Sequence, residues 1–266
     1  MTPPRSPARR TARTARTARS ARLVPLGTLA ALAAALALVG AGCLGGSDNT
    51  ATTTTGPATT STPGTTTAPA ATRTVRIYVV RDGKLTVEGR AVPDSPALGS
   101  AALKELLGSR PFELTIANGV ATVTGTGPLS PESRAEIVAT LTQFPTVQSV
   151  EIDGKRLTRL DIEELTPQIL LESPLAGAHL ASPVRLIGTA NTFEATFLVE
   201  VLDRDGNSLS RAVVTATSGS GTRGTFSAEI GFDTADAQPG TIYAYEASAE
   251  DGRPIHEVRV PVTLEP

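Results

Sequence analysis

The sequence predicts an α+β part followed by an all-β sandwich, with a targeting segment and a stalk ahead of both. Residues 73–157 alternate between β-rich runs and apolar residues at helical spacing, in the order ββαββαβ. Over residues 168–266 the pattern is entirely β-rich, with a turn signal about every ten residues. Residues 158–167 form a short charged connector between the two parts.

The first 42 residues have the composition of a bacterial secretion signal. Seven arginines and no acidic residue precede Leu23, and the twenty residues from Leu23 to Gly42 carry no charge. Gly40-Ala41-Gly42 stand directly before Cys43, the only cysteine. This arrangement resembles a bacterial lipobox, which implies cleavage after residue 42 and a lipid anchor on the Cys43 thiol. The alternative is an uncleaved signal-anchor helix, since the run is also long enough to span a bilayer.

Both interpretations place the remaining chain on the extracytoplasmic face of the cell membrane. Residues 43–72 are almost entirely Gly, Ser, Thr, Pro and Ala. Because such a stretch buries too little apolar area to offset its ordering entropy, we expect a disordered stalk. From Cys43 onward the chain carries 17 basic and 26 acidic residues, a formal charge of −9. This acidic balance argues against a nucleic-acid partner.

Residues 73–157 should form a small sheet with its helices on one face. Asp82-Gly83 and Asn118-Gly119 each lie between two β-rich runs, and such dipeptides favour tight hairpins because they accept a positive φ. Ser95-Pro96 and Ser130-Pro131 each offer a capping hydroxyl followed by a proline, which suits the first turn of a helix. The predicted elements are strands at 75–80 and 84–92, a helix that ends at Gly108, strands at 114–117 and 120–124, a helix that ends at Pro145, and a strand at 147–152.

Several stretches of this part resemble the GerMN domain, which is named for sporulation and spore germination. They are VRIYVVRDGKL, the R-x-V-P of Arg90 to Pro93, AALKELL, NGVATV and ATLTQFPTVQSVEIDGK. The last stretch is the most specific, because it joins the end of a helix to the strand that follows. The segment before Asn118 is shorter than the family pattern, and the usual acidic V-D-L-S reads Val123-Thr124-Gly125-Thr126. The resemblance implies a scaffold component outside the membrane.

Residues 168–266 should fold as an immunoglobulin-like sandwich, with predicted strands at 168–172, 184–190, 194–202, 208–217, 225–232, 241–248 and 255–264. Turn signals separate these strands, among them Asp205-Gly206, Pro239-Gly240 and Asp251-Gly252. The Cys–Trp–Cys core of antibody domains is missing from the sequence, and large aromatic residues should take its place. These residues are Phe193, Phe197, Phe226, Phe232, Tyr243 and Tyr245.

This part resembles the immunoglobulin-like domain that often accompanies GerMN in bacterial envelope proteins. The matching stretches are residues 169–209, then GTRGTFSAEIGF and YEASAEDG. The signature of the resemblance is GTANTFE, the run from Gly188 to Glu194. We expect a glycine bend there, with Asn191 and Glu194 capping backbone groups.

Two loop patterns resemble ligand sites but have simpler interpretations. Residues 219–224 spell G-x-G-x-x-G, but a strand-like run follows in place of the helix that a nucleotide site needs. We therefore predict a hairpin loop. Residues 203–207, DRDGN, suggest a calcium loop, yet Val214 stands where an EF-hand needs its glutamate. A β-turn without an ion is the simpler prediction.

The remaining polar candidates give no catalytic, cofactor-binding or metal-ligating set. His179 and His256 have no second nitrogen ligand nearby in the sequence, so we expect them at the surface or at a rim. The pair Glu163-Glu164 lies in the connector, which it should keep solvated. The connector also carries apolar residues, which favour a fixed arrangement of the two parts: Leu157, Leu160, Ile162 and Leu165.

Our first hypothesis is a non-enzymatic envelope scaffold, held by a lipid anchor in the cytoplasmic membrane, that contacts an envelope protein or the cell wall. The sequence is equally compatible with an accessory protein that modulates a sensor or transporter. The alternative is a ligand-binding or cell-wall-modifying protein that uses a cleft between its two parts, which requires a concave pocket with convergent polar groups.

Overall fold

The computed structural model describes residues 71–266. The predicted signal segment, Cys43 and the stalk up to residue 70 lie outside the described residues. The helices are α1 (Leu98–Leu107), α2 (Pro131–Leu141) and two 3₁₀ helices, Arg159–Leu165 and Phe193–Ala195. The strands are β1 (Thr72–Arg81), β2 (Lys84–Pro93), β3 (Glu113–Ala117), β4 (Val120–Thr124), β5 (Ser149–Ile152), β6 (Lys155–Leu157), β7 (Ile169–Ser173), β8 (His179–Leu180), β9 (Val184–Ala190), β10 (Thr196–Leu202), β11 (Ser208–Thr215), β12 (Gly224–Ile230), β13 (Gln238–Ala247) and β14 (Pro254–Leu264).

The α+β architecture of the first part is confirmed, but its strands form two separate pieces. β1 and β2 form an antiparallel ribbon, and β3, β4, β5 and β6 form a four-stranded sheet in that order. β4 and β5 pair in parallel, and α2 lies between them in the chain. The ribbon, the sheet and α2 share one core, whose buried members include Tyr78, Leu85, Val123, Ile137 and Ile152.

The capping signals predicted the start of α2 and missed that of α1. Ser130 caps α2 as expected, because its Oγ accepts a hydrogen bond from the Ser133 backbone N at 3.2 Å. Ser95 does not cap a helix. Its Oγ accepts instead from the backbone N of Ala97 at 3.3 Å, and α1 begins at Leu98. The local hydroxyl–backbone contact at Ser95 thus forms a turn before the helix.

The second helix ends earlier than the prediction, at Leu141 rather than at Pro145. Just beyond this end, the Gln143 side chain contacts a distant strand. The Gln143 side chain donates to the Arg76 carbonyl oxygen at 2.6 Å and accepts from the Arg76 backbone N at 3.1 Å. Gln143 therefore acts as a hydrogen-bonding partner of β1 rather than as part of the helix.

The second part is β-rich and immunoglobulin-like, as predicted. β11, β10, β13, β14 and β8 form one sheet in that order, and β12, β9 and β7 form the other. All seven predicted strands are present within a few residues of their predicted bounds, and the two-residue β8 is an addition. Phe197 and Phe226 meet edge to face in the core, with their ring centres 4.9 Å apart.

The prediction of an aromatic core is wrong for three of its six residues. Phe193 is 63% exposed. Tyr243 and Tyr245 are buried, but they stack on each other at 4.6 Å outside the core of the sandwich. Alternate residues of a strand point to opposite faces, and in β13 it is Ile242 and Ala244 that face the core. The two tyrosines must therefore lie on the outer face.

Candidate interaction site

One strand, β7, joins the two parts, because its alternate side chains reach two different cores. Ile169 and Leu171 are buried in the core of the sandwich. Leu170, between them, is buried in the core of the α+β part. Glu172 follows Leu170 by two residues and reaches the same side. The described residues accordingly belong to one compact unit.

Glu172 is the centre of a polar network at this junction. Its Oε1 accepts hydrogen bonds from the Tyr78 hydroxyl and from Arg159 Nη1, both at 2.7 Å. Arg76 Nη1 lies 3.7 Å from the other carboxylate oxygen. The Arg159 guanidinium also donates to the Ala139 carbonyl oxygen at 3.2 Å and lies 5.0 Å from the centre of the Tyr78 ring. Groups from β1 and from the 3₁₀ helix Arg159–Leu165 thus converge on one carboxylate of β7, and Arg159 connects this network to α2.

The electrostatics of this network keep Tyr78 and Arg159 each in a single protonation state. Burial raises the pKa of the Tyr78 phenol well above its ordinary value, and the neighbouring Glu172 carboxylate raises it further. Burial alone would lower the pKa of Arg159, but Tyr78 and Glu172 raise it more than burial lowers it. Tyr78 therefore remains a neutral donor and Arg159 remains a cation at any physiological pH.

Glu163 makes a second polar connection between the two parts. Its Oε2 accepts a hydrogen bond from Arg223 Nε at 2.7 Å, and its Oε1 accepts from the Asn191 side-chain amide at 2.9 Å. Arg223 also donates to the Pro167 carbonyl oxygen at 2.7 Å. Burial would raise the pKa of Glu163, but the bonds from Arg223 and Asn191 lower it below its ordinary value. The solvating role expected for Glu163 is therefore wrong, whereas Glu164 is exposed.

The GTANTFE signature forms a strained loop beside this connection. Glu194 and Ala195 have φ values of 53° and 59°, and Ser220, which faces them, has a φ of 52°. The Ser220 backbone N donates to the Thr192 carbonyl oxygen at 2.9 Å, and the Ser220 Oγ accepts from the Glu194 backbone N at 3.0 Å. Asn191 caps the Gly221 backbone N at 2.9 Å, as predicted. These hydrogen bonds thus hold together the part of the loop in which three non-glycine residues have a left-handed backbone conformation.

The glycine bend expected in this run is wrong, because Gly188 lies within β9, where it has a steric role. A Cβ at Gly188 would collide with the Leu170 carbonyl oxygen and with the Phe226 ring. Glycine at this position therefore lets β9 approach β7 and the core aromatic residue closely.

The loop presents Phe193 to solvent. The Phe193 backbone N donates to Glu246 Oε1 at 2.8 Å, so the carboxylate that caps this loop is Glu246 and not Glu194. The other Glu246 oxygen lies 2.9 Å from His256 Nδ1. Ile255 pairs with Glu246 in the β13–β14 ladder and is 39% exposed. Two exposed apolar side chains therefore flank one fixed carboxylate.

A groove of about 550 Å³ lies between β2, β7 and β14, at the boundary of the two parts. Most of its lining is apolar, and its charged side chains include Lys84, Glu257 and Arg259. Glu257 accepts from the Tyr243 hydroxyl at 2.8 Å and from Arg259 at 3.3 Å. Lys84 donates to the Glu164 carbonyl oxygen at 2.7 Å. These charged groups therefore already have protein partners.

The loop patterns behave largely as their simpler interpretations predict. The G-x-G-x-x-G run leads into β12 rather than into a helix, although it connects two sheets and is not a hairpin. Asp203 closes its turn by accepting from the backbone N of Asp205 at 2.9 Å and of Asn207 at 2.8 Å. The Asn207 bonds hold the pKa of Asp203 below its ordinary value. His179 is exposed and lies 2.7 Å from a Glu265 oxygen.

Two negative findings apply to residues 71–266 only. In that part of the chain no three His, Cys, Asp or Glu side chains are grouped so that they could hold a metal ion. No helix there combines the length and the apolar character needed to cross a membrane.

Fold and site together define a two-part protein in which an α+β part is joined through a shared strand to an immunoglobulin-like domain. Residues 168–253 match the family model Gmad2, the immunoglobulin-like domain of bacterial spore germination. The resemblance of residues 73–157 to GerMN stays a prediction.

Comparison with solved structures finds CopC from Methylosinus trichosporium OB3b, which is 16% identical. The alignment covers 37% of this chain and 94% of CopC, with a TM-score of 0.24. At this TM-score the likeness supports no functional conclusion. No curated protein matches the chain.

Proposed function

We propose that this protein is a non-enzymatic scaffold of the bacterial envelope, anchored through a lipid on Cys43 to the extracytoplasmic face of the cell membrane. Its two folded parts would act together as a protein–protein interaction module. The match of residues 168–253 to a spore germination domain supports a place among envelope proteins of that family. The basic and apolar segment ahead of Cys43 supports the anchor.

The observation that carries the scaffold proposal is the shared strand β7. Domains in one chain move relative to each other by default unless their interface is large and well packed. Here Leu170 is part of the core of the α+β part, and Glu172 binds Tyr78 of that part and Arg159 of the connector. A scaffold must hold its binding surfaces at a fixed distance and orientation, and this junction provides that.

The chemistry of the junction supports a structural rather than a catalytic role. A general acid or base works best when its pKa lies near the working pH. The pKa of Tyr78 is displaced upward, away from neutrality, and that of Glu163 is displaced downward. Both groups are also bound to fixed partners, which suits a network that holds elements in place.

The proposal is tested by crosslinking in intact cells of the native host, followed by affinity recovery of the tagged full chain and mass spectrometry. We expect a few envelope proteins in near-stoichiometric amounts, all from the membrane fraction. The Cys43→Ala variant should lose incorporation of labelled palmitate. Recovery of the protein alone, together with an intact envelope in a deletion strain, would count against a scaffold.

A second candidate function is ligand binding or cell-wall modification in the groove between β2, β7 and β14. Its volume of about 550 Å³ and its apolar lining are favourable for a small ligand or a wall fragment. Ala176 is exposed and lines the groove, so Ala176→Trp should narrow it without disturbing a core. Saturable binding of purified peptidoglycan fragments that is lost in Ala176→Trp would support this function. Absence of saturable binding would remove it.

A further inference from the structure

The loop of residues 191–195, here called the Phe193 loop, exposes an aromatic side chain to water and contains strained backbone. Glu194, Ala195 and Ser220 are non-glycine residues in the left-handed region, which is strained for side chains with a Cβ. Thr192 is buried, and its hydroxyl has no hydrogen-bond partner among the described residues. Strain of this kind persists only where surrounding contacts impose it, and it concentrates at functional sites.

The contacts that impose the strain come from every side of the loop. Glu246 binds the Phe193 backbone from β13, and Ser220 binds the Glu194 backbone from the 218–224 loop. Asn191 connects the base of the loop to Glu163 in the connector. These contacts hold the loop backbone in place, and the Phe193 side chain remains 63% exposed. The loop is thus preorganised with its aromatic group free.

The surroundings of Phe193 indicate the chemistry of its partner. Ile255, opposite Glu246, adds a second exposed apolar group at this end of the sandwich. Glu194 and Glu250 are exposed there and contribute negative charge. The other charged groups at this end are already paired, Asp251 with Arg253 and Glu246 with His256. We define the Phe193 surface as Phe193, Ile255, Glu194 and Glu250.

We infer that the Phe193 surface docks into an apolar pocket of a partner protein whose rim carries lysine and arginine residues. This inference rests on the proposed scaffold function and names the surface through which it acts. A buried aromatic anchor at the centre of a preformed surface is the usual source of binding energy between proteins. The carboxylates supply complementary charge to a basic rim and would be repelled by an anionic lipid surface.

The test places a photo-crosslinking residue, p-benzoylphenylalanine, at position 193 of the full chain in the native host. The control carries it at Ile116, which is 41% exposed on β3 of the α+β part. We expect a crosslinked protein with the residue at 193 and none at 116. The crosslinked peptide should contain apolar residues together with lysine or arginine. A crosslink to lipid, or to an acidic peptide, would overturn the inference.

Two substitutions in the protein without the crosslinking residue measure the contribution of the surface, by affinity recovery of the partner that the crosslink identifies. Phe193→Ala should reduce its recovery at least tenfold, and Glu250→Lys should reduce it most at low ionic strength. Ile116→Ala, which also truncates an exposed apolar side chain, should leave it unchanged. Melting temperatures of the three variants should equal that of the wild type, because all three side chains are exposed. If Phe193→Ala recovers as many partners as the wild type, the inference fails while the scaffold function stands; if the wild type recovers none, both fail.

Discussion

Glu163 shows how one carboxylate connects residues that lie far apart in the sequence. Its partners Asn191 and Arg223 follow it by 28 and 60 residues, and both lie in the immunoglobulin-like domain. Neither partner could be inferred from the pair Glu163-Glu164, because a long-range ion pair leaves no local pattern. Asn191 was foreseeable as a backbone cap, since asparagine favours such bonds in loops.

The lowered pKa of Glu163 predicts a pH dependence of stability. A carboxyl whose folded pKa lies below its ordinary value of 4.5 stabilises the fold above that pH. The contribution is lost as the pH falls through the lower folded pKa. Because the side chain is one-third exposed, Glu163→Gln should cost only about 1 kcal/mol at neutral pH and less in acid. Urea unfolding of the purified protein at several pH values measures this difference.

Glu164→Gln is the matched control for this prediction. Glu164 is the next residue of the same 3₁₀ helix, it is exposed, and its removal changes the net charge equally. Its variant should follow the pH dependence of the wild type. An equal loss of unfolding free energy in both variants at neutral pH would mean that the removal of one negative charge, and not the Arg223 contact, determines the effect.

At the scale of elements, turns and strands were predictable and their long-range partners were not. Asn118-Gly119 forms the β3–β4 hairpin with positive φ at both residues, because turn geometry depends on the local chain alone. The end of α2 was mispredicted, and the contact of Gln143, just beyond it, with Arg76, 67 residues earlier, leaves no local pattern. Phe193 was mispredicted because an aromatic residue between strands usually joins a core. Strain imposed by distant contacts gives no sequence signal.

β7 is the element whose role the sequence could not reveal. Ile169, Leu170 and Leu171 form a continuous apolar run, which is typical of a strand buried on both faces. Such a run does not tell which core each face enters. The structure shows two different cores, and this is a statement about tertiary contacts rather than about propensity.

A matched pair of substitutions can distinguish the contributions of the two faces of β7 to their cores. Leu170→Ala and Leu171→Ala delete the same side chain from neighbouring positions, and each should destabilise the protein by about 2–5 kcal/mol. Two-dimensional NMR should place the shift changes of Leu170→Ala in β1, β2 and α2. Those of Leu171→Ala should lie in β9, β10 and β12. Changes centred on the same residues in both variants would contradict the assignment of the faces to separate cores.

Residues 71–266 form two folds that share one strand, and this bears on how they unfold. A domain with its own core would ordinarily unfold independently of its neighbour. Here Leu170 is buried in one core while its neighbours in β7 are buried in the other. The network around Glu172 adds charged contacts across the same boundary. We therefore expect both parts to unfold in a single cooperative transition, with equal calorimetric and van't Hoff enthalpies.

Glu172→Gln should divide that transition into two. The substitution removes the charge that compensates the half-buried Arg159, and breaking a buried ion pair costs about 3–5 kcal/mol. The loss of stability falls on the boundary between the parts, so the two parts should melt at different temperatures.

Glu200→Gln is the matched control, since Glu200 also accepts from a tyrosine hydroxyl at 2.7 Å and lies beside an arginine. Glu200 lies within a single sheet, so Glu200→Gln should lower the melting temperature and keep one transition. Two transitions in the wild type would show that the junction does not couple the parts and would weaken the scaffold proposal that rests on it. A single transition in Glu172→Gln would show that the Glu172 network is not what couples them.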